Sequence, residues 1–236
     1  MEASDEEPGI LSYIELSGQG NLFQILELLD REKAGCIEIG IPVSDPYMDG
    51  DAIRQTHKEV LEKNITKEDV VHTLEEIRRR FTIKVVLMTY KEGVENFHLH
   101  EISKDLYDGF LCVNGDFPPQ TFQNQIAVLG QNLDRENIKK ALENNKLFAY
   151  VVSGEGKTGS FDHLPTEYVE VVKKVKSVSS IPAYVGFGVK SADDVKEVMK
   201  NGADGAIIGT EFVKRYQLGG LDALKAYLEQ LKQTNA

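Results

Sequence analysis

Eight short apolar runs recur along this chain, each followed by a longer segment, and this repetition narrows the fold more than any other feature. The runs are Ile10–Leu16, Cys36–Gly40, Lys84–Thr89, Gly109–Val113, Gln125–Leu129, Leu147–Val152, Ala183–Gly186 and Gly205–Gly209. Strand-length runs alternating with helical segments predict successive βα units and a parallel sheet. Eight units in 236 residues, with no linker or low-complexity block, predict α/β architecture of one kind, a single (β/α)8 TIM barrel. The domain is expected to span residues 1–236, with a short acidic tail over residues 1–8. A doubly wound sheet fits less well, because the turn after the first run, Ser17-Gly18-Gln19-Gly20, lacks a nucleotide-type glycine fingerprint.

The clearest helix is Lys67–Arg80, where Val70, Val71, Leu74, Ile77 and Phe81 form one apolar stripe and Thr66 with Asp69 stands as a capping pair. Ser191 and Asp194 offer the same start to a helix carrying Val195, Val198 and Met199. A further short helical stretch is expected over Glu211–Tyr216.

Charge and composition exclude several classes of function. Asp and Glu number 38 against 27 Lys and Arg, a net charge of -11, so a nucleic-acid backbone or an anionic membrane would be repelled. No apolar run approaches the roughly 20 residues of a membrane span, and the opening Met1 to Glu7 is acidic where a targeting peptide would be basic. A cytoplasmic protein is expected. Cys36 and Cys112 lie in apolar runs, which suits free core thiols better than a disulfide, and their spacing suggests no metal. No two histidines are spaced like zinc ligands, and His98 and His100 are expected to face solvent or packing.

In a barrel, chemistry sits on the loops beyond the C-terminal ends of the strands. Alternation along Cys36-Ile37-Glu38-Ile39-Gly40 sends the isoleucines to the helix-packed face and Glu38 inward near the rim. Desolvation there would raise its pKa and suit it to general acid work, while a buried ion pair is the blander alternative. Asp49 follows in the loop Ile41 to Asp51, where it is either the first residue of an Asp-Gly turn or a second carboxylate above the barrel mouth. Two carboxylates in different environments can divide protonation from charge stabilisation.

Gly186-Phe187-Gly188 closes the seventh run, and Gly209-Thr210 closes the eighth before a helix start. Loops after strands seven and eight with a helix N-terminus make the phosphate site of many barrels. The sixth loop, Ser153 to Ser160, has three glycines and reads as a mobile lid. Its Gly-Lys-Thr is no Walker A loop, because Val151 stands where that motif requires glycine.

The run Glu38-Ile39-Gly40-Ile41-Pro42-Val43-Ser44-Asp45-Pro46 with Asp49-Gly50 resembles the signature of tryptophan synthase α subunits. Similarity continues through Val86 to Tyr90, Tyr150 to Ser153, Gly156 to Gly159, Val185 to Gly188, and Asp204-Gly205 through Gly209-Thr210. The resemblance implies cleavage of indole-3-glycerol phosphate to indole and glyceraldehyde 3-phosphate, a retro-aldol reaction with no cofactor in this subunit. Pyridoxal phosphate is expected only in a β partner, within an α2β2 complex. By resemblance, Glu38 matches the general acid/base acting at indole C3, and Asp49 the carboxylate that stabilises charge on the indole nitrogen. Tyr150 matches a tyrosine lining the substrate pocket, and Gly159, Gly188, Gly209 and Thr210 match phosphate-binding positions; Tyr90 and Gly186 are also expected to bind substrate. Thr158 matches a threonine that orders the catalytic aspartate when the lid closes.

The chain departs from the family pattern in several places. The family usually carries Arg at Gly154, Pro at Asp51, and Asn-Pro after the tyrosines of the third loop, where this chain reads Tyr90-Lys91-Glu92-Gly93. The fourth loop, Val113 to Pro118, carries an extra residue, and the N-terminal helix before the first run is nearly absent. Two other readings stand beside the lyase: a non-catalytic regulatory paralogue that binds a phosphorylated ligand for a β-type partner, and another phosphate-binding barrel enzyme.

Overall fold

The structure is a computed structural model, and it describes residues 9–15, 19–154 and 156–232. In chain order its elements are β1 (Gly9–Glu15), α1 (Gln19–Arg31), β2 (Cys36–Gly40), α2 (Asp51–Leu61), α3 (Lys67–Arg80), β3 (Lys84–Thr89) and α4 (Lys91–Asn96). There follow β4 (Gly109–Cys112), β5 (Val128–Leu129), α5 (Arg135–Leu142), β6 (Ala149–Val152), α6 (Tyr168–Val178), β7 (Ala183–Gly186), α7 (Ala192–Lys200), β8 (Gly205–Ile208) and α8 (Thr210–Lys232). The eight expected strands are therefore present, β2, β3 and β7 with the expected bounds. Leu16, Ser17, Gly18 and the acidic tail lie outside the described residues.

All paired strands run parallel, in the order β4-β3-β2-β1-β8-β7-β6-β5. The two end strands meet through one bridge, Phe110 to Gln125, carried by Phe110 N–H to Asn124 O (3.2 Å) and Ile126 N–H to Phe110 O (2.8 Å). The expected fifth strand over Gln125–Leu129 is thus divided. Asn124 turns the chain at φ 43° and the Gln125 side chain donates to Pro118 O at 2.8 Å, which leaves only Val128 and Leu129 to pair with β6. Beside this seam Phe110 stacks on Phe122 with centroids 3.7 Å apart.

The two faces of each strand feed two apolar layers. Cys36, Val86, Leu111, Ile126, Phe148, Tyr150 and Ile207 pack inside the barrel. Ile37, Ile39, Val85, Leu87, Val151 and Val185 point outward against helix residues such as Leu26, Leu74, Ile77 and Val172. The alternation read for β2 is realised. Removing a fully buried side chain of the outer layer, as in Leu74→Ala, costs about 2–5 kcal/mol.

Local signals place the helices. Thr66 and Asp69 form a reciprocal capping box on α3, with Thr66 N–H to Asp69 Oδ2 at 2.8 Å and Asp69 N–H to Thr66 Oγ1 at 3.2 Å. Ser191 and Asp194 do the same for α7 at 2.9 and 3.2 Å. The last helix is longer than its expected stretch: it begins at Thr210 and runs to Lys232, broken by non-helical backbone at Gly219 and Gly220. Both α2 and α3 bridge β2 to β3, so the loop before α2 carries Asp49 across the barrel mouth.

Candidate active site

Glu38 lies inside the barrel on β2, level with Val86 of β3, and is 1% exposed. Its Oε1 has no hydrogen-bond partner among the described residues. The buried ion pair left open by the sequence is not what the structure shows. Burial first, and the charge of Asp49 second, push the carboxyl up to about 8. Near neutral pH it is a protonated acid with an unused oxygen.

Asp49 is equally buried, but its surroundings are polar. Tyr90 Oη donates to its Oδ2 at 2.7 Å, and Thr158 Oγ1 lies 3.3 Å from Oδ1. Burial outweighs the opposing Tyr90 and Thr158 donors and the Arg54 charge, so its carboxyl is raised above the ordinary aspartate value. The loops after β2, β3 and β6 therefore converge on one carboxylate. Met48 N–H donates to Tyr90 Oη (3.2 Å), Gly50 N–H to Thr158 Oγ1 (2.9 Å) and Thr158 N–H to Met48 O (3.1 Å). Gly50 makes this docking possible, because a Cβ there would lie 2.2 Å from Thr158 O. The sixth loop is docked on the second.

Beside Asp49 lies a cavity of about 260 Å³ lined by Asp49, Met88, Tyr90, Leu111, Tyr150 and Phe187, among others. It is mostly apolar walls with a carboxylate at one side, a shape and chemistry suited to a flat aromatic ring bearing an N–H. Burial, then the charges of Glu38 and Asp49, hold the Tyr150 phenol far above its ordinary pKa, so it stays protonated. Gly186 lies under that ring, and a Cβ there would meet Tyr150 Oη at 2.9 Å. Its part is to admit Tyr150.

The phosphate-type features gather around the start of α8. Thr210 opens the helix, and its Oγ1 is buried without a partner among the described residues. Gly159 approaches it so closely that a Cβ would lie 2.6 Å from Thr210 Cγ2, and its φ of 71° favours glycine. Gly188 takes φ 82° after β7, and Gly209 directly precedes the helix. Backbone amides at a helix N-terminus, glycine turns and an unused hydroxyl are the components from which an anion site can be built.

Other groups stand apart from this chemistry. His57 is buried and accepts from Val43 N–H at Nδ1 (3.0 Å), and burial lowers it to about 4. His98, His100 and Glu101 bring ligand atoms within 4.8 Å of one another, but all three are exposed and Glu101 already pairs with Lys67. Where the family carries Arg, Gly154 is closed in: a Cβ there would meet Pro165 Cβ at 2.8 Å. The altered third and fourth loops support each other and the second loop. Asn114 Oδ1 accepts from Lys91 N–H at 2.7 Å, and Glu92 accepts from Ser44 N–H (2.9 Å) and Ser44 Oγ (3.0 Å).

Of the predicted residues, Asp49, Tyr90 and Tyr150 line the cavity, Glu38 is buried on β2 inside the barrel, Gly186 packs against Tyr150, and Gly159, Gly188, Gly209 and Thr210 gather around the start of α8. Thr158 acts on Asp49. Sequence reasoning missed Phe187, a lining residue held at φ 68°, and the Tyr90 hydrogen bond to Asp49. The signal for Phe187 was its place between two glycines; nothing local signalled the second, which spans 41 positions.

A closed (β/α)8 barrel with a buried protonated acid, a second carboxylate and an anion cradle at its C-terminal rim defines a barrel enzyme acting on a small phosphorylated substrate. The family model described as "Tryptophan synthase alpha chain" matches residues 4–235. The tryptophan synthase alpha chain of Thermococcus kodakarensis is 31% identical over 225 residues, covering 89% of each chain, and that of Pyrococcus furiosus is 31% identical over 217 residues, covering 85% of this chain and 87% of the relative. The solved Pyrococcus furiosus α subunit superposes with a TM-score of 0.80 at 27% identity, covering 95% of this chain and 98% of that one. A chain in the Pyrococcus furiosus tryptophan synthase complex gives 0.79 at 26%, with the same coverage. The chain belongs to the tryptophan synthase alpha chain family, and it is a lyase of tryptophan biosynthesis.

Proposed function

We propose that this chain cleaves indole-3-glycerol phosphate to indole and glyceraldehyde 3-phosphate with Glu38 as acid and then base. The observation that carries the reading is a carboxyl raised to about 8, with a free oxygen inside the barrel, next to a carboxylate held by donors. Glu38 delivers its proton to indole C3, making the ring an electron sink. The positive charge that develops at the ring nitrogen faces Asp49, whose charge the Tyr90 and Thr158 donors favour. The ionised Glu38 then takes the proton of the side-chain hydroxyl next to C3. The carbon–carbon bond breaks, its electrons return to the ring, and the carbonyl of glyceraldehyde 3-phosphate forms. Protons balance over the cycle. The Gly159, Gly188, Gly209 and Thr210 cradle holds the phosphate, and Tyr150 walls the ring.

These steps use only side chains, so the reading calls for no cofactor in this chain. Pyridoxal phosphate belongs to a β partner, with which we place the chain in an α2β2 complex. A chain from the Pyrococcus furiosus tryptophan synthase a2b2 complex superposes with a TM-score of 0.79. The unpaired Cys36 and Cys112 suit a cytoplasmic setting, and among the described residues no helix is long and apolar enough to cross a membrane. We take the whole chain as one barrel domain.

The test is indole release from indole-3-glycerol phosphate by the purified chain, with and without a β subunit. Release that rises with the partner and vanishes in Glu38→Gln supports the reading. Binding without release under either condition would replace it with the regulatory one.

A further inference from the structure

We infer that Ser153 is a positioning residue for ligand binding, its hydroxyl fixing the Phe187–Gly188 peptide that serves both the ring pocket and the phosphate cradle. The inference rests on the proposed substrate reading and adds a residue to it. Ser153 follows β6 and is fully buried. Its N–H donates to Gly186 O at 2.9 Å and its Oγ donates to Phe187 O, so one residue holds two successive carbonyls at the end of β7.

The second of those carbonyls belongs to a strained residue. Phe187 sits at φ 68°, a left-handed backbone that a bulky side chain adopts only when its surroundings enforce it. Gly188 continues left-handed at φ 82°. There is no cis bond among the described residues, and in a trans peptide the C=O and the following N–H point in opposite directions. Anchoring Phe187 O on the buried hydroxyl therefore turns the Gly188 N–H the other way, and bonding at the carbonyl end strengthens the amide as a donor. The same anchor fixes the Phe187 ring, which meets Tyr150 edge to face with centroids 6.4 Å apart and lines the cavity. Losing the hydroxyl loosens both contacts together, while Glu38 and Asp49 keep their own supports.

Ser153→Thr and Ser153→Val differ by one hydroxyl at nearly equal volume, and Ser153→Ala guards against a fold that rejects the added methyl group. Two readouts are taken on each: the Kd for glycerol 3-phosphate by calorimetry, and KM and kcat for indole release. Ala and Val are expected to weaken glycerol 3-phosphate binding and raise KM about tenfold, the scale of one lost hydrogen bond, with kcat within about threefold. Thr is expected to stay near the unaltered chain on both. Equal affinity for Ala, Val and Thr, or a loss confined to kcat, overturns the inference, as does failure of the unaltered chain to bind glycerol 3-phosphate. Should that chain bind glycerol 3-phosphate yet release no indole, the substrate reading falls while the affinity series still decides the role of Ser153.

Discussion

The two carboxylates at the barrel mouth are almost equally buried and are built in opposite ways. Glu38 stands on a strand fixed on both sides by parallel neighbours, and its free oxygen meets no donor among the described residues. Asp49 stands on a loop, and two other loops reach across to hydrogen-bond it. The strand supplies an acid whose pKa is set by desolvation and whose position does not depend on the lid. The loops supply an anion that is in place only while they are docked. One acts through what is withheld from it, the other through what is given.

The largest effect that would break this contrast comes from Glu38→Gln, expected to lower kcat by about 10²–10⁴-fold with the fold unchanged by circular dichroism. It also has a signature in stability. Because the folded carboxyl is raised to about 8 from an ordinary 4.5, the native state binds more protons than the unfolded chain between those values. Native stability therefore declines as pH rises through that window, and Glu38→Gln removes that part of the decline. Urea unfolding at pH 6 and 8.5 for both proteins reads the difference, and a stability difference independent of pH would show that Glu38 titrates normally.

Asp49→Asn comes next, with kcat down about 10²–10³-fold, the scale of removing one electrostatic stabiliser of a transition state. Gly50→Ala attacks the docking alone. Its Cβ would lie 2.2 Å from Thr158 O, so the second and sixth loops must part. A loss of about tenfold to a hundredfold in kcat/KM with Glu38 untouched is expected, since misplacing a catalytic group by about 1 Å costs up to that much. Retained activity would mean that loop docking does not hold Asp49.

Tyr90→Phe is the mildest, at about three- to tenfold, the net worth of one typical hydrogen bond. Its sign on pH is distinctive. Tyr90 lowers the Asp49 pKa, so its loss raises that pKa and moves the acidic limb of the kcat/KM profile upward. An unmoved acidic limb would assign that limb to another group.

What could be read from the sequence divides along the same line. Glu38 was legible because strand alternation is local, with Ile37 and Ile39 declaring one face and leaving the other. The caps at Thr66 and Ser191 were legible because their partners lie three residues away. The support of Asp49 was not, since Tyr90 and Thr158 lie 41 and 109 positions from it. Nor did the sequence show that β5 would be cut to two ladder residues, because the turn at Asn124 and the stack of Phe110 on Phe122 arise only once the seam closes. Acid work for Glu38, a second carboxylate at Asp49 and an anion site after strands seven and eight are readable from the residues, while the substrate atoms they serve come from family resemblance.

The central claim is that Glu38 enters the reaction as a neutral buried acid. Its titration can be followed directly by carbon-13 NMR of the chain labelled at the glutamate carboxyl, with Glu38→Gln identifying the resonance. The account predicts a midpoint near 8 and a decline of indole release above it. A midpoint near 4.5 would contradict it, because the group would then be ionised at neutral pH with no proton to give.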